Sequence, residues 1–142
     1  MHRSRYLWGK VSVALLALLL GAGLICCTPR NLRDLSYHRQ MGILLDDYNK
    51  AFNVKQDYAS AVSIAQRIVE KSAAHGEEDT FDHRNALLRL GQALTKAGKR
   101  DDAVGAFGKL LSIYQRHPGL SQGDYIHRRA TELMAALSEK NE

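Results

Sequence analysis

Ala61-Val62, Ile68 and His75 recur, at one constant offset, as Ala103-Val104, Leu110 and His117. Phe81-Asp82-His83-Arg84-Asn85-Ala86 is echoed, at a slightly longer offset, by Tyr125-Ile126-His127-Arg128-Arg129-Ala130. A recurrence of this length marks a unit too small to bury its own apolar face, which stacks on a copy of itself instead.

Within each copy the apolar residues fall at helical spacing, and no stretch alternates as a strand would. Only Pro29 and Pro118 occur, and neither interrupts a periodic run. Five helices are expected. Asp34 caps the first, which runs to about Asn53 with Leu35, Met41, Leu44, Leu45, Tyr48 and Phe52 inward; Asn53-Val54-Lys55-Gln56 is a break. The second spans about Asp57 to Ala74 and buries Tyr58, Ala61, Ile64, Ala65, Ile68 and Val69, with Gly76 as a left-handed stop. Thr80 caps the third, with Asp82 in its first turn. This helix buries Phe81, Leu87, Leu88, Leu90 and Leu94, and Lys96-Ala97-Gly98-Lys99 closes it. The fourth spans about Asp101 to His117, with Ala103, Ala106, Phe107, Leu110, Leu111 and Tyr114 on its face. Asp124 caps the fifth, which runs to about Ser138 with Tyr125, Ala130, Leu133, Met134 and Leu137 inward. The fold class is all-α: an antiparallel helix-hairpin α-solenoid of about five helices, the last a capping helix.

The amino terminus has a different grammar. His2, Arg3, Arg5 and Lys10 form a basic head without an acid, and Val11 to Leu20 is apolar apart from Ser12. Gly21-Ala22-Gly23-Leu24-Ile25-Cys26-Cys27 follows, then polar Thr28-Pro29-Arg30-Asn31. This is the plan of an export signal. Leu24-Ile25-Cys26-Cys27 resembles a bacterial lipoprotein signal, in which a leucine stands three residues before a cysteine that becomes lipidated. The resemblance implies a signal peptide over 1–26, lipidation at Cys27 and a tether over 27–33, ahead of a helical domain over 34–142. Cys26 departs from the small residue that the family prefers there. Anchoring takes about two acyl chains, which a diacylglyceryl cysteine supplies. The alternative is an uncleaved anchor, since Val11–Cys27 sits at the short limit of a spanning helix. The chain is then a single-pass inner-membrane protein. Either way the positive head keeps the amino terminus cytoplasmic and exports the rest. Thr28 is not the aspartate associated with inner-membrane retention. By that resemblance an outer membrane's periplasmic leaflet is favoured.

Charge argues against nucleic acid as a partner. The chain carries a formal charge of +5, but residues 1–26 hold three basic residues and no acid. Without them 17 Lys and Arg face 15 acids, leaving +2, too little for a broad basic field. Both cysteines lie at the signal boundary, so no internal disulfide can staple the helices. No glycine-rich phosphate loop, nucleophile elbow or zinc spacing is present, and no catalytic residue, metal ligand or cofactor site is assigned. His75 and His117 sit where helices end, which suits the dipole. Asp46-Asp47, Glu77-Glu78 and Asp101-Asp102 read as surface or helix-start acids. His38-Arg39, His83-Arg84 and His127-Arg128 read as solvated pairs inherited by duplication, or else as a basic ladder along one edge.

Leu87, Leu90-Gly91, Leu94, Gly98-Lys99-Arg100-Asp101-Asp102-Ala103, Phe107 and Leu110 resemble a tetratricopeptide repeat. A weaker copy uses Leu45, Tyr48, Phe52, Tyr58, Ala61, Ala65 and Ile68, with Asn49 where glycine is usual. The spacing from Ala61 to Ala103 exceeds the usual period of about 34 residues and resembles the longer subclass. In such a unit Gly91 lets two helices approach closely and Ala103 sits at their tightest crossing. The resemblance implies a concave groove that holds a peptide or partner helix, presenting Asp46, Lys50 and Asn53 from the first unit. The second unit contributes Asn85, Leu88, Gln92 and Thr95. Two repeats plus a cap are short for a solenoid, which points to a partner or a second copy completing it.

The expected function is a membrane-tethered, non-catalytic adaptor or assembly factor of the bacterial cell envelope, holding an envelope protein in that groove. The alternative is a structural subunit permanently packed into a larger membrane complex.

Overall fold

The computed structural model describes residues 29–76 and 79–139. Residues 1–26, expected to be a signal peptide, Cys27 and the Glu77-Glu78 pair lie outside the described residues. The chain divides into two compact units, 1–39 and 40–142. Helix α1 is Pro29–Asn49, followed by a π-helical turn over Lys50–Lys55; α2 is Tyr58–His75 and α3 is Phe81–Lys96. Helix α4 is Arg100–Arg116, a 3-10 turn spans Pro118–Leu120, and α5 is Tyr125–Glu139. No strand occurs among the described residues. The described part is thus an all-α array of antiparallel hairpins, α1–α2 and α3–α4, closed by α5.

In the first unit the helix is already formed at Pro29, so Asp34 lies inside it and does not cap it. Proline is at home in a helical first turn, where its missing N–H costs nothing. Tyr37 is buried and stands edge-on to His38, ring centroids 5.3 Å apart. Leu35, expected inward, is 66% exposed. It lies about 200° round the helix from Tyr37.

In the second unit Thr80 and Asp124 cap as expected, and Asp57 is a further cap. Asp57 Oδ1 accepts from the Ser60 N–H at 3.0 Å, and Thr80 Oγ1 accepts from that of His83 at 3.4 Å. Asp124 Oδ1 accepts from the Ile126 N–H at 2.8 Å. Helix α3 ends in a Schellman motif on Gly98, φ 74°. There the Lys99 N–H reaches Leu94 O at 2.9 Å and that of Gly98 reaches Thr95 O at 3.2 Å. Gly76 differs from expectation. It is extended, φ −149°, and simply donates to Ser72 O.

The core is a ladder of small against large side chains. Ala61, Ala65, Ala93, Ala103, Phe107, Leu110 and Ala130 are all fully buried. Phe81 and Tyr125, expected inward, are 61% and 58% exposed. Each is the first residue of its helix. A helical side chain leans over the turn before it, and these two have no such turn to cover.

The first hairpin also differs in register. Gln56 has φ 53° and ψ 27°, the left-handed stop that Gly98 provides one repeat later. Between α1 and that stop, the π turn admits one residue more than an α-helix would. The Gln56 and Asp57 N–H groups both reach Ala51 O. The α1 residues of this unit are therefore rotated by one position. The buried stripe is Met41, Leu44, Tyr48 and Ala51, equivalent to Arg84, Leu87, Gly91 and Leu94 at an offset of 43. The position of Gly91 is taken by Tyr48, not Asn49, while Ala65 stands for Phe107. Small and large have changed places across the crossing.

Candidate protein-binding surfaces

Among the described residues the buried side-chain polar atoms are paired within the fold, Arg89 Nε excepted. Arg84 is 7% exposed. Its Nε donates to Asp79 O at 3.1 Å and its Nη1 to Tyr114 Oη at 2.9 Å and to Asp124 Oδ2. The guanidinium also lies 5.2 Å from the Tyr114 ring centroid. Tyr114 Oη donates to Asp124 Oδ2 at 2.8 Å. One carboxylate thus caps α5 and ties it to α3 and α4. Burial and the bond to Asp124 push the Tyr114 phenol up to about 12. For Asp124 burial acts upward, but the bonds from Tyr114 and the Ile126 N–H and the charge of Arg84 outweigh it. Its carboxyl is held below the usual range. Ser72 Oγ donates to Val69 O at 2.9 Å and lies 3.0 Å from His83 Nδ1, with both residues buried. Neither His83 nor Arg84 is a solvated pair member, and a basic ladder through them is not formed. Sequence reasoning missed this network because Arg84 and Asp124 stand 40 residues apart.

Arg89 was also missed. It bridges α1 and α3: its guanidinium lies 5.2 Å from the Tyr48 ring centroid, and Nη1 donates to Asn49 Oδ1 at 3.3 Å. Tyr48 Oη donates to Arg89 O at 3.1 Å. Burial raises the Tyr48 phenol to about 12, against the lowering effect of Arg89.

The expected groove residues are placed unevenly. Asp46, Lys50 and Asn53 are exposed on α1 and the π turn. Asn85, Gln92 and Thr95 are half-buried on α3, and Thr95 Oγ1 donates to Gly91 O of its own helix at 2.8 Å. Leu88 is 3% exposed and belongs to the core, so it offers no contact to a partner. Cys27 lies outside the described residues.

A second surface lies on the other side of α3. Gln66 and Val69 of α2, with His83, Leu87, Leu90 and Leu94 of α3, line a groove of about 710 Å³. Helix α4 closes it with residues from Asp101 to Arg116. On α3 this face is roughly opposite that of Asn85 and Gln92, at about 100° per residue. None of the seven expected groove residues lines it. Among the described residues no group of His, Cys, Asp and Glu could hold a metal ion, and no helix is long and apolar enough to cross a membrane.

Paired antiparallel helices, Gly91 packed against the Phe107 ring and a terminal covering helix define a tetratricopeptide-like helical-hairpin solenoid. Residues 85–117, spanning most of α3 and all of α4, match the tetratricopeptide repeat family. No curated protein and no solved structure matches the chain. Repeats of this type generally bind protein partners and are generally non-catalytic, which suggests a protein–protein interaction role.

Proposed function

We propose that this chain is a membrane-tethered, non-catalytic adaptor of the bacterial cell envelope. Residues 1–26 export it, Cys27 carries the lipid, and the helical array holds an envelope protein on the side of α3 that bears Asn85 and Gln92. The repeat belongs to the longer subclass, with the period that separates Ala61 from Ala103. The observation that carries the reading is the division of polar groups. Arg84, Tyr114, Asp124, Ser72 and His83 are consumed by packing, whereas Asn85 and Gln92 on α3 are half-exposed and Lys50 and Asn53 on the π turn after α1 are exposed. Polar side chains on stacked helices recognise a partner; they are poorly arranged to activate a nucleophile.

Ile43 and Val54, 55% and 77% exposed, favour a second reading. They lie away from the buried stripe of α1, and a permanent neighbour in a membrane complex would cover them.

The test is photocrosslinking in cells of the bacterial host, with a photoreactive residue at Gln92 or at Val54. Feeding an alkyne fatty acid to wild type and Cys27→Ser tests the anchor in the same strains. A discrete envelope adduct from Gln92, with label lost in Cys27→Ser, supports the adaptor. Adducts from Val54 alone, with a chain that aggregates when purified without them, support the structural subunit.

A further inference from the structure

We propose that one flank of α1, continued into the π turn, is a self-recognition surface on which two copies of the chain associate about a two-fold axis with these helices antiparallel. The inference is independent of the binding side on α3 and of the lipid tether. It gives Ile43 and Val54 a second copy of the chain, not a foreign subunit, as their cover.

The surface is a stripe. Ile43, Asp47, Lys50 and Val54 stand four, three and four residues apart, the spacing that keeps side chains on one flank of a helix. All four are exposed. At about 100° per residue the stripe lies roughly a third of a turn from the buried Met41, Leu44, Tyr48 and Ala51. Its counterparts in α3, at the offset of 43 that the core residues share, are Ala86, Leu90, Ala93 and Ala97. Ala86 and Ala93 are 1% and 0% exposed, and Ala130, which takes the place of Ala86 in α5, is 0% exposed. Helices α3 and α5 each follow a hairpin, whereas α1 is the first described helix of the array. The flank that the later helices bury as alanine is thus open on α1, with an isoleucine and a valine at its two ends.

Charge names the occupant. The stripe reads apolar, acid, base, apolar. Laid antiparallel on a second copy so that Asp47 faces the other chain's Lys50, it also sets Lys50 against Asp47 and Ile43 against Val54, each contact made twice. All of them form together because both pairs are centred on one point, between Tyr48 and Asn49. Self-complementarity of this kind is what a two-fold contact requires. Parallel stripes in register would instead set Asp47 on Asp47 and Lys50 on Lys50. Antiparallel helices also oppose their macrodipoles. The stripe is about 16 Å long at 1.5 Å per residue, shorter than a standard interface, so association depends on concentration and charge sets its register. Lys50 then serves the dimer, and the α3 side keeps Asn85 and Gln92 for a partner.

The test places a photoreactive residue at Val54 of the full chain, in detergent micelles with empty micelles in excess, and maps the adduct by mass spectrometry. The expected product has twice the mass of the chain, linked at or beside Ile43 of the second copy. Asp47→Lys and Lys50→Asp, each at an exposed site, should each lower its yield about tenfold, because both opposite-charge pairs become like-charge pairs. The double variant Asp47→Lys/Lys50→Asp restores both pairs and the yield. Mixing the two single variants restores it as well, in a product holding one copy of each, since a basic stripe then meets an acidic one. Melting temperatures check that each variant folds, and Lys50→Glu replaces Lys50→Asp should the latter melt early. No product of twice the mass, a link outside α1 and the π turn of the second copy, or a yield indifferent to charge reversal would each overturn the proposal. An adduct from Val54 to a different protein alone would overturn it in favour of the foreign subunit. Label at Cys27 and crosslinking from Gln92 leave the result untouched in either direction.

Discussion

Gly91 lies directly under the ring of Phe107: a Cβ added to Gly91 would stand 2.4 Å from Phe107 Cε1 and 2.6 Å from Cζ. Phe107 is fully buried and cannot swing away. Gly91→Ala therefore forces the ring or the helices apart. Overpacking costs about 1–3 kcal/mol, and the better helix propensity of alanine returns about 1 kcal/mol. The expected result is a net loss of up to about 2 kcal/mol in urea denaturation, largely recovered when Phe107→Leu is added. Gly105→Ala, with open space around it, should instead stabilise by up to about 1 kcal/mol.

The close helix approach at Gly91 was legible in the sequence, and so were the helices, because both depend on local pattern. The Leu-Gly pair, the buried Ala103, and the caps at Thr80 and Asp124 are short-range signals that packing did not overrule. The register of α1 was not legible. A gapless alignment puts Asn49 opposite Gly91, and only the π turn over Lys50–Lys55 rotates Tyr48 into that place. Phe81 and Tyr125 misled for a related reason, since an apolar residue at a helix start reads as core although no turn lies behind it. At the binding surfaces, Arg84 looked solvated because its carboxylate is remote in sequence, and Leu88, placed by the apolar pattern in the core and by the family resemblance in the groove, belongs to the core. The 3-4 spacing of Met41, Leu44, Tyr48 and Ala51 was the signal that could have corrected the register of α1.

Asp124 gives the fold an acid limit. Its carboxyl is held below the ordinary value of 3.8, so its contribution is complete above that value and is lost as pH falls through the folded one. Asp124→Asn should lower stability at neutral pH by about 1–3 kcal/mol, since it weakens a charged bond to Arg84 and a helix cap. It should also flatten the fall in urea midpoint below about pH 4. An unchanged acid profile would show that other carboxylates set the limit. Arg84→Met, which takes the charged donor from Asp124 and the donor from Tyr114 Oη, should cost about 3 kcal/mol.

At the alkaline end the sign is reversed in its consequence. Tyr48 and Tyr114 are both pushed up to about 12, chiefly by burial. A folded value above the ordinary 10.0 means that stability is complete below pH 10 and is lost as pH rises toward 12. Phenolate absorbance should show these two rings ionising only near that value or on unfolding. Tyr114→Phe should remove one late proton and make the alkaline loss shallower, while costing about 1 kcal/mol at neutral pH for the bond to Asp124.

Gln56 and Gly98 perform the same act with different residues. Both end the first helix of a hairpin in the left-handed region, at φ 53° and 74°. For an L side chain that conformation costs about 1–2 kcal/mol, whereas glycine adopts it freely and loses about 0.5–1 kcal/mol of extra chain entropy on folding. Gln56→Gly should therefore stabilise the chain by about 0.5–1 kcal/mol, and Gly98→Ala should destabilise it by about 1 kcal/mol. Urea denaturation of the two variants measures both, and amide exchange at Asp57, whose N–H closes the π turn on Ala51 O at 2.9 Å, reports where the change acts. Slower exchange there with higher stability means that the turn's conformation is kept and its strain relieved. Faster exchange with lower stability would mean that Gln56 is needed to hold the extra residue of the π turn in place, and with it the one-residue rotation that brings Tyr48 to the hairpin crossing.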